Sequence, residues 1–447
     1  MTYSQAVQYL ESFVNYEKIT AYSYKKSLKL ERIKGFLASI GNPQDSLRCI
    51  HIAGTKGKGS TCAFIAYILR EAGYKVGLYT SPHLSDFRER IRILQPNTEH
   101  RTPNTVFEGM ISKHALTDLT SRLKPYIEKY NKGSKYGLLS FFEVHTSLAL
   151  AYFKEQKVDL AVLETGLGGR LDATNVVNSY VCAITPLSYE HTQILGSSLR
   201  EIATEKAGII KSRQSIVISA PQEKEAIEVI KNKCKKVNAR LYEAGKDITF
   251  QKTNNGFNVK GIFGDYPDLK TNLLGDHQLV NASVAIGVIE ALRLYNIDVG
   301  ADSIRGGLYN VVWPGRCEVI AQNPLVVLDG AQNIASARAL KEALKEKFQY
   351  KRLLLILGMS QDKDIKGVCN ELADLVDEVI LTKANNPRAT SPEVLAKYFN
   401  GKAVHKTADL KEAKAQAHHI AKKEDLILIC GSLFVVGEVR EFILKKS

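Results

Sequence analysis

Strand-like and helix-like stretches alternate along nearly the whole of this 447-residue chain, and the alternation runs twice. In the first run, apolar stretches at 47–53, 76–79, 158–163, 180–184 and 215–219 read as strands. Between them, 60–72, 103–130, 141–156, 198–208 and 222–236 carry helical spacing, and 2–14 and 24–39 precede them as helices. A hairpin at 248–263, turning at Asn254-Asn255-Gly256, and a helix at 277–296 end this run. In the second run, strands at 325–328, 352–357, 378–382 and 425–430 alternate with helices at 333–347, 365–375, 391–399, 408–422 and 433–444. Such alternation predicts mostly parallel sheets covered by helices. The chain is too long for one core. Two α/β domains are expected, 1–298 and 299–447, with the boundary in the stretch Asn296–Ala301. A cleft between two such domains is a common place for a site.

Composition narrows the setting. Hydrophobic residues make up 45% of the chain, enough for a sizeable interior. No apolar run approaches the roughly 20 residues that cross a bilayer, and the N-terminus lacks the plan of a secretory signal. None of the seven cysteines forms a Cys-x-x-Cys pair, and several sit in strand-like contexts. A disulfide framework and a zinc site are therefore not expected, and a reducing, cytoplasmic setting is. The formal net charge of +14 suits nucleic acid or anionic small molecules, but the lysines are spread along the chain and read mostly as solvated faces.

The stretch "HIAGTKGKGSTCAF" at 51–64 joins the first strand to the next helix. It departs from the generic phosphate loop Gly-x-x-x-x-Gly-Lys-[Ser/Thr], because Ile52 stands five positions before Gly57 and Gly59 follows Lys58. The physical requirements are still met. A strand delivers the chain, glycines let amides turn inward, and a helix N-terminus follows. Lys58 supplies a point charge for outer phosphates, and Ser60 or Thr61 supplies a hydroxyl for magnesium. The plainer reading is a strand-to-helix turn with solvated lysines.

Eight further motifs follow in order: "SPHLSDFRERI" at 81–91, "ETGLGGRLDATN" at 164–175, "EHTQILG" at 190–196, "EKAGIIK" at 205–211, "GDHQLVNA" at 275–282, "WPGRCEVI" at 313–320, "DGAQN" at 329–333 and "GSLFVVGE" at 431–438. With the loop, the set resembles the folylpolyglutamate synthase/dihydrofolate synthase branch of the Mur ligase superfamily, from about residue 20 to 440. The resemblance implies an α/β fold: a P-loop-containing, Mur-ligase-like central domain and a second, smaller, Rossmann-like C-terminal domain. It implies an ATP-dependent ligase that joins L-glutamate to dihydropteroate or a reduced folate. A carboxylate is a poor electrophile; its acyl phosphate, made from ATP, is attacked by the amine. Positioning and charge neutralisation carry such chemistry.

The resemblance also assigns residues. Gly54, Thr55, Lys56, Gly57, Lys58, Gly59, Ser60 and Thr61 would cradle the nucleotide, with Asn281 and Arg316 contacting it from either side of the cleft and Asp329, closing an apolar strand, suited to a ribose or a water. Two magnesium sites are implied, with Ser60, Glu143, His191 and Lys206 as ligands. Lys206 would be carbamylated by CO₂, which requires a buried, partly neutral amine near positive charge. Lys58, Lys206 and His191 are the catalytic candidates. Ser81, Pro82, His83, Arg88, Arg90 and Gln332 would meet the substrate. Each has a plainer reading: Glu143 as a first-turn acid favoured by the helix dipole, Lys206 as a C-terminal lysine, His191 as a surface residue, the arginines as part of a turn. Glu164 follows an apolar strand and is placed behind Glu143, as a group that steadies the Gly166–Arg170 turn or serves the phosphate site. Three residues depart from the family pattern: Gln332 replaces a histidine, Glu190 an aspartate and Lys56 an asparagine. Glutamine cannot carry a proton charge.

The rivals are a peptidoglycan-type Mur ligase and a nucleic-acid-dependent P-loop ATPase. "SPHL…ERI" and "WPGR" speak against the first, and the lack of aromatic–basic interleaving against the second. A monomer acting on small molecules, with neither nucleic acid nor membrane as partner, is the expectation.

Overall fold

The computed structural model describes residues 1–19, 22–96 and 107–444. Its first sheet has seven strands: β1 (Cys49–Ala53), β2 (Val76–Tyr79), β3 (Ile91–Leu94), β4 (Leu160–Glu164), β5 (Ser179–Ile184), β6 (Ile216–Ser219) and β7 (Arg240–Glu243). They lie in the order β3-β2-β4-β1-β5-β6-β7, all parallel except the β2–β3 pair. β1 and β4 are buried at every position, as strands covered on both faces must be. The chain leaves β1 for one side of the sheet and returns to its other side at β5. The carboxyl end of β1 therefore lies at a topological switch point, the usual crevice for a ligand in such sheets.

The helix Lys58–Glu71, directly after β1, is buried at every residue from Ser60 to Arg70. It is apolar nearly all round because the sheet covers one side and the helices His277–Ala291 and Ala301–Asn310 cover the others. The expected hairpin is β8 (Thr249–Thr253) and β9 (Gly256–Lys260), and β10 (Asp265–Leu269) extends it to a three-stranded antiparallel sheet. The helix foreseen over 103–130 spans Lys113–Gly133, and 103–106 lie outside the described residues.

The second sheet has six strands: β11 (Glu318–Gln322), β12 (Leu325–Leu328), β13 (Leu353–Leu357), β14 (Glu378–Leu381), β15 (Ala403–Lys406) and β16 (Leu426–Cys430). Their order is β11-β12-β16-β13-β14-β15, parallel except for β11. One apolar cluster lies on each face. This is the two-domain α/β architecture expected. The helix Ala301–Asn310 belongs to the first core, where Ile304 and Leu308 are wholly buried. A division at 298/299 would strip that helix from the core it fills. No helix among the described residues is long and apolar enough to cross a membrane.

Candidate active site

The carboxyl ends of β2, β4, β1 and β5 deliver Ser81, Glu164, Gly54 and Thr185 to one edge of the first sheet. Gly54 is required there by close approach, since a Cβ on it would lie 1.8 Å from Thr185 Oγ1. Gly57 caps the following helix with a left-handed φ of 79°, and a Cβ on it would lie 2.1 Å from Asn281 Oδ1. The first-turn amides of that helix have no intrahelical acceptors and so form an anion site. The Thr55 and Lys56 amides do not join them. Both donate to Pro186 O, at 3.1 and 3.2 Å, and Thr55 Oγ1 donates to Ser188 O at 3.2 Å. These two residues fasten the loop to the segment leading to His191, so their amides are not part of the helix N-terminal cradle. Asn281 is buried, donates to Gln278 Oε1 and sits against Gly57. Ser60 and Thr61 are buried, and Thr61 Oγ1 has no hydrogen-bond partner among the described residues.

Lys206 ends the helix Leu199–Lys206 and points back under the loop, where its Nζ donates to Gly54 O at 2.7 Å. It is 5% exposed. Burial lowers its pKa to about 7, Lys58 adds to the shift, and Glu190 and Asp172 oppose it. His191 adopts a left-handed φ of 53° at the start of the turn Thr192–Leu195. Desolvation in the cleft lowers its pKa, with Lys363, Lys206 and Lys58 adding and Glu190 opposing; its exposed face limits the first of these. Glu190 and Lys363 form an ion pair from opposite domains, 4.0 Å apart.

The two glutamates sit in different settings from those expected. Both Glu143 oxygens accept from Arg32 Nε, at 2.8 and 2.9 Å. Oε2 also accepts the Ser140 amide at 2.7 Å and its hydroxyl at 2.6 Å. Glu143 is the acid of a capping box and the partner of a buried arginine, so its carboxylate is not free for a metal. The pattern Ser140-x-x-Glu143 ahead of an apolar helix was the signal for this. Glu164 is buried at the end of β4 and accepts the Ser81 amide at 3.2 Å. Burial raises its pKa to about 7, against the pull of Lys58, Arg316 and Arg90. It faces the glycine loop.

The expected substrate arginines are also committed elsewhere. Arg88 pairs with Asp86, Nη2 to Oδ2 at 2.7 Å. Arg90 is buried, forks onto Glu17 at 2.9 and 2.6 Å and donates to His83 Nδ1 at 2.8 Å. Asp329 is buried and accepts the Cys317 and Ala331 amides, each at 2.7 Å. It ties the Trp313–Cys317 turn to the end of β12 and thereby aims Arg316. A small cavity of about 60 Å³ brings Gly59, Ser81, Glu164, Trp313 and Arg316 together. A larger one, about 500 Å³, lies between the domains. Ser81, Pro82, His83, Phe142 and His191 form one wall, and Gln332, Lys363, Arg388 and Phe434 the other.

Comparison with known proteins decides the family. Residues 129–289 match the Mur ligase middle domain, and residues 315–433 match the Mur ligase glutamate ligase domain. A Bacillus subtilis protein named dihydrofolate synthase/folylpolyglutamate synthase is 34% identical over 424 residues, covering 92% of this chain and 94% of that one. The chain belongs to the dihydrofolate synthase/folylpolyglutamate synthase family of Mur ligases. Two solved structures of this family superpose along its length. Mycobacterium tuberculosis folylpolyglutamate synthase complexed with ADP has a TM-score of 0.87 and 29% identity, covering 99% of this chain and 98% of that one. A bifunctional folylpolyglutamate synthase/dihydrofolate synthase with Mn, AMPPNP and L-glutamate bound has a TM-score of 0.83 and 29% identity, covering 99% and 98%.

Lys363 and Arg388, which line the larger cavity, were not among the sequence-predicted site residues. Lys363 lies in "GMSQDKD", just past β13, where the carboxyl-edge rule for strands points to it. Arg388 carries no such local signal. Among the described residues no cluster of three or more His, Cys, Asp or Glu side chains is placed to hold a metal ion.

Proposed function

We propose that this chain activates a carboxylate of dihydropteroate or a reduced folate with ATP and joins it to the amine of L-glutamate. The observation that carries this reading is the convergence at one sheet edge. A helix N-terminus behind a glycine loop and a buried acid meet at a small cavity walled by both domains, and a buried lysine holds Gly54 O beneath the loop. ATP-dependent glutamate ligation is the activity of the family, and the geometry supports the following reading of which residues serve it here.

The amides from Gly57 to Ser60 and the Lys58 ammonium hold the nucleotide phosphates. Arg316, fixed in its turn by Asp329, reaches them from the second domain, and Asn281 packs beneath Gly57. The donor set fits a divalent cation: Glu164 is buried and accepts one amide, and the Ser60 and Thr61 hydroxyls lie on the first turn. Ser60 and Glu164 would hold one such ion, and His191 and a carbamylated Lys206 a second. When bound, such ions neutralise phosphate charge. Carbamylation joins the neutral Lys206 Nζ to CO₂ with loss of a proton; the depressed pKa and the short reach to Gly54 O support it. The acceptor carboxylate then attacks the terminal phosphorus of ATP, giving an acyl phosphate and ADP. The glutamate amine attacks the acyl carbon, and phosphate leaves. Pro82, His83 and Gln332 line the cavity for the acceptor. Gln332 orients by hydrogen bonds and does not shuttle a proton, so no step here runs through it.

We place the domain division just after Trp313, the last residue here that packs on the first core, with Cys317 already in the second, and expect a monomer to suffice. The test is an ADP-release assay with glutamate, run separately with dihydropteroate and tetrahydrofolate. Glutamate-dependent turnover with at least one acceptor is expected, without nucleic acid. Turnover with neither acceptor ends the folate reading, and stimulation by nucleic acid with indifference to glutamate would replace it with an ATPase.

A further inference from the structure

The loop 81–90 touches both domains at once. At its start, the Ser81 amide donates to Glu164 Oε2 at 3.2 Å, beside the glycine loop. A few residues on, the loop curls round its own anion. The buried Glu89 carboxylate accepts the amides of Leu84, Ser85 and Asp86 and the Ser85 hydroxyl. Leu84 is thereby held in one direction. It packs on the second domain's core cluster, with Val436 beside it at Gly315.

The seat beneath Leu84 is made by two glycines of the second domain. A Cβ at Gly315 would lie 3.2 and 3.4 Å from its two methyl carbons. A Cβ at Gly437 would lie 2.0 Å from its carbonyl oxygen and 2.8 Å from its carbonyl carbon. Gly437 stands inside the helix Leu433–Leu444 and is not among the glycines of positive φ, so its backbone conformation does not call for glycine. The close approach of Leu84 does. One side of the contact rides on the first domain and the other on the second, so it exists only at this separation of the two.

We propose that Leu84 is a positioning residue: seated on Gly315 and Gly437, it couples closure of the second domain to the placement of Ser81 and Glu164 at the nucleotide. This rests on the ligase reading above. Closure then completes the catalytic edge as well as the cavity, which makes chemistry wait for the second domain.

The test compares the full chain with its Leu84→Ala, Leu84→Met and Gly437→Ala variants. Leu84→Ala and Gly437→Ala should lower kcat by about tenfold or more, while AMPPNP affinity, read by calorimetry, stays within about twofold. Leu84→Met, which keeps the apolar knob, should retain kcat within about threefold. A merely structural role would lower melting temperature and nucleotide affinity together. Leu84→Ala with wild-type kcat overturns the proposal. If Gly437→Ala fails to fold, the two Leu84 variants decide, since that side chain is half-buried on a loop. If the wild type ligates no glutamate, the ligase reading fails separately. The seat is then read by trypsin at Arg88: faster cleavage in Leu84→Ala than in wild type supports it, and equal rates overturn it.

Discussion

Glu143 and Glu164 carry the same side chain into opposite settings, and their substitutions separate accordingly. Glu164→Gln removes a buried charge next to the nucleotide, and kcat should fall by about 100-fold or more. The same change should raise the melting temperature of the ligand-free protein above pH 7. The sign follows from the shift. Burial raises the folded pKa from 4.5 to about 7, so the cost of the charge is full above about 7 and fades as pH falls toward 4.5. A melting temperature that drops instead would mean Glu164 is paired in the ligand-free protein. Glu143→Gln should do the reverse: leave Arg32 buried with a weakened partner, cost about 3 kcal/mol, and spare kcat within about tenfold. Lys206 titrates on the other side. Its folded pKa is depressed from 10.5 to about 7, so the neutral amine that carbamylation would need prevails above about 7. Isotopically labelled bicarbonate should give a carbamate signal that grows from pH 6 to 8 and is lost in Lys206→Arg; a pH-independent signal in that variant would assign it elsewhere. The sequence pattern could show that a lysine sits late in this helix. It could not show Gly54 O above it, because that contact spans the fold.

At the scale of elements, legibility followed burial. β1, β4 and β13 are buried at every position, and their apolar runs are plain in the sequence. The edge strands β7, β11 and β15 are half-exposed along their length, so their patterns blend into the loops around them. The helix Ala301–Asn310 was lost for another reason. It carries Gly306 and Gly307, poor helix formers that read as a linker. Gly307 is there for packing, since a Cβ on it would lie 2.4 Å from the Ile68 backbone. The expected boundary at 298/299 fell before this helix for that reason. Ile304, wholly buried in the first core, tests the assignment. Ile304→Ala should cost about 2–5 kcal/mol and lower the melting of the nucleotide-binding domain. A loss confined to the second domain's transition would return the helix to that domain. The same logic explains the arginines of "SPHLSDFRERI". Arg88 finds Asp86 within its own turn, but Arg90 finds Glu17, which sequence proximity could not suggest.

For the whole molecule, the nine motifs mattered less singly than for where the chain brings them. Motifs at 81–91, 164–175, 190–196, 329–333 and 431–438 line one cleft, with Glu190 and Lys363 paired across it. The charge balance of +14 then has a use that composition alone left open. ATP, glutamate and a polyglutamylated acceptor are all anions, and a positive surface raises their encounter rate without touching the chemical step. The dependence on salt should grow with acceptor charge. Between 50 and 300 mM salt, kcat/KM should fall several-fold for a long polyglutamyl acceptor and much less for a monoglutamyl one, while kcat stays nearly level. The comparison of two acceptors is what isolates the field, because salt effects on ATP, metal and fold are common to both. Equal slopes would mean that the surface lysines are only solvated faces, and that the cleft's own cations, Lys58, Arg316 and Lys363, account for all the attraction the substrates feel.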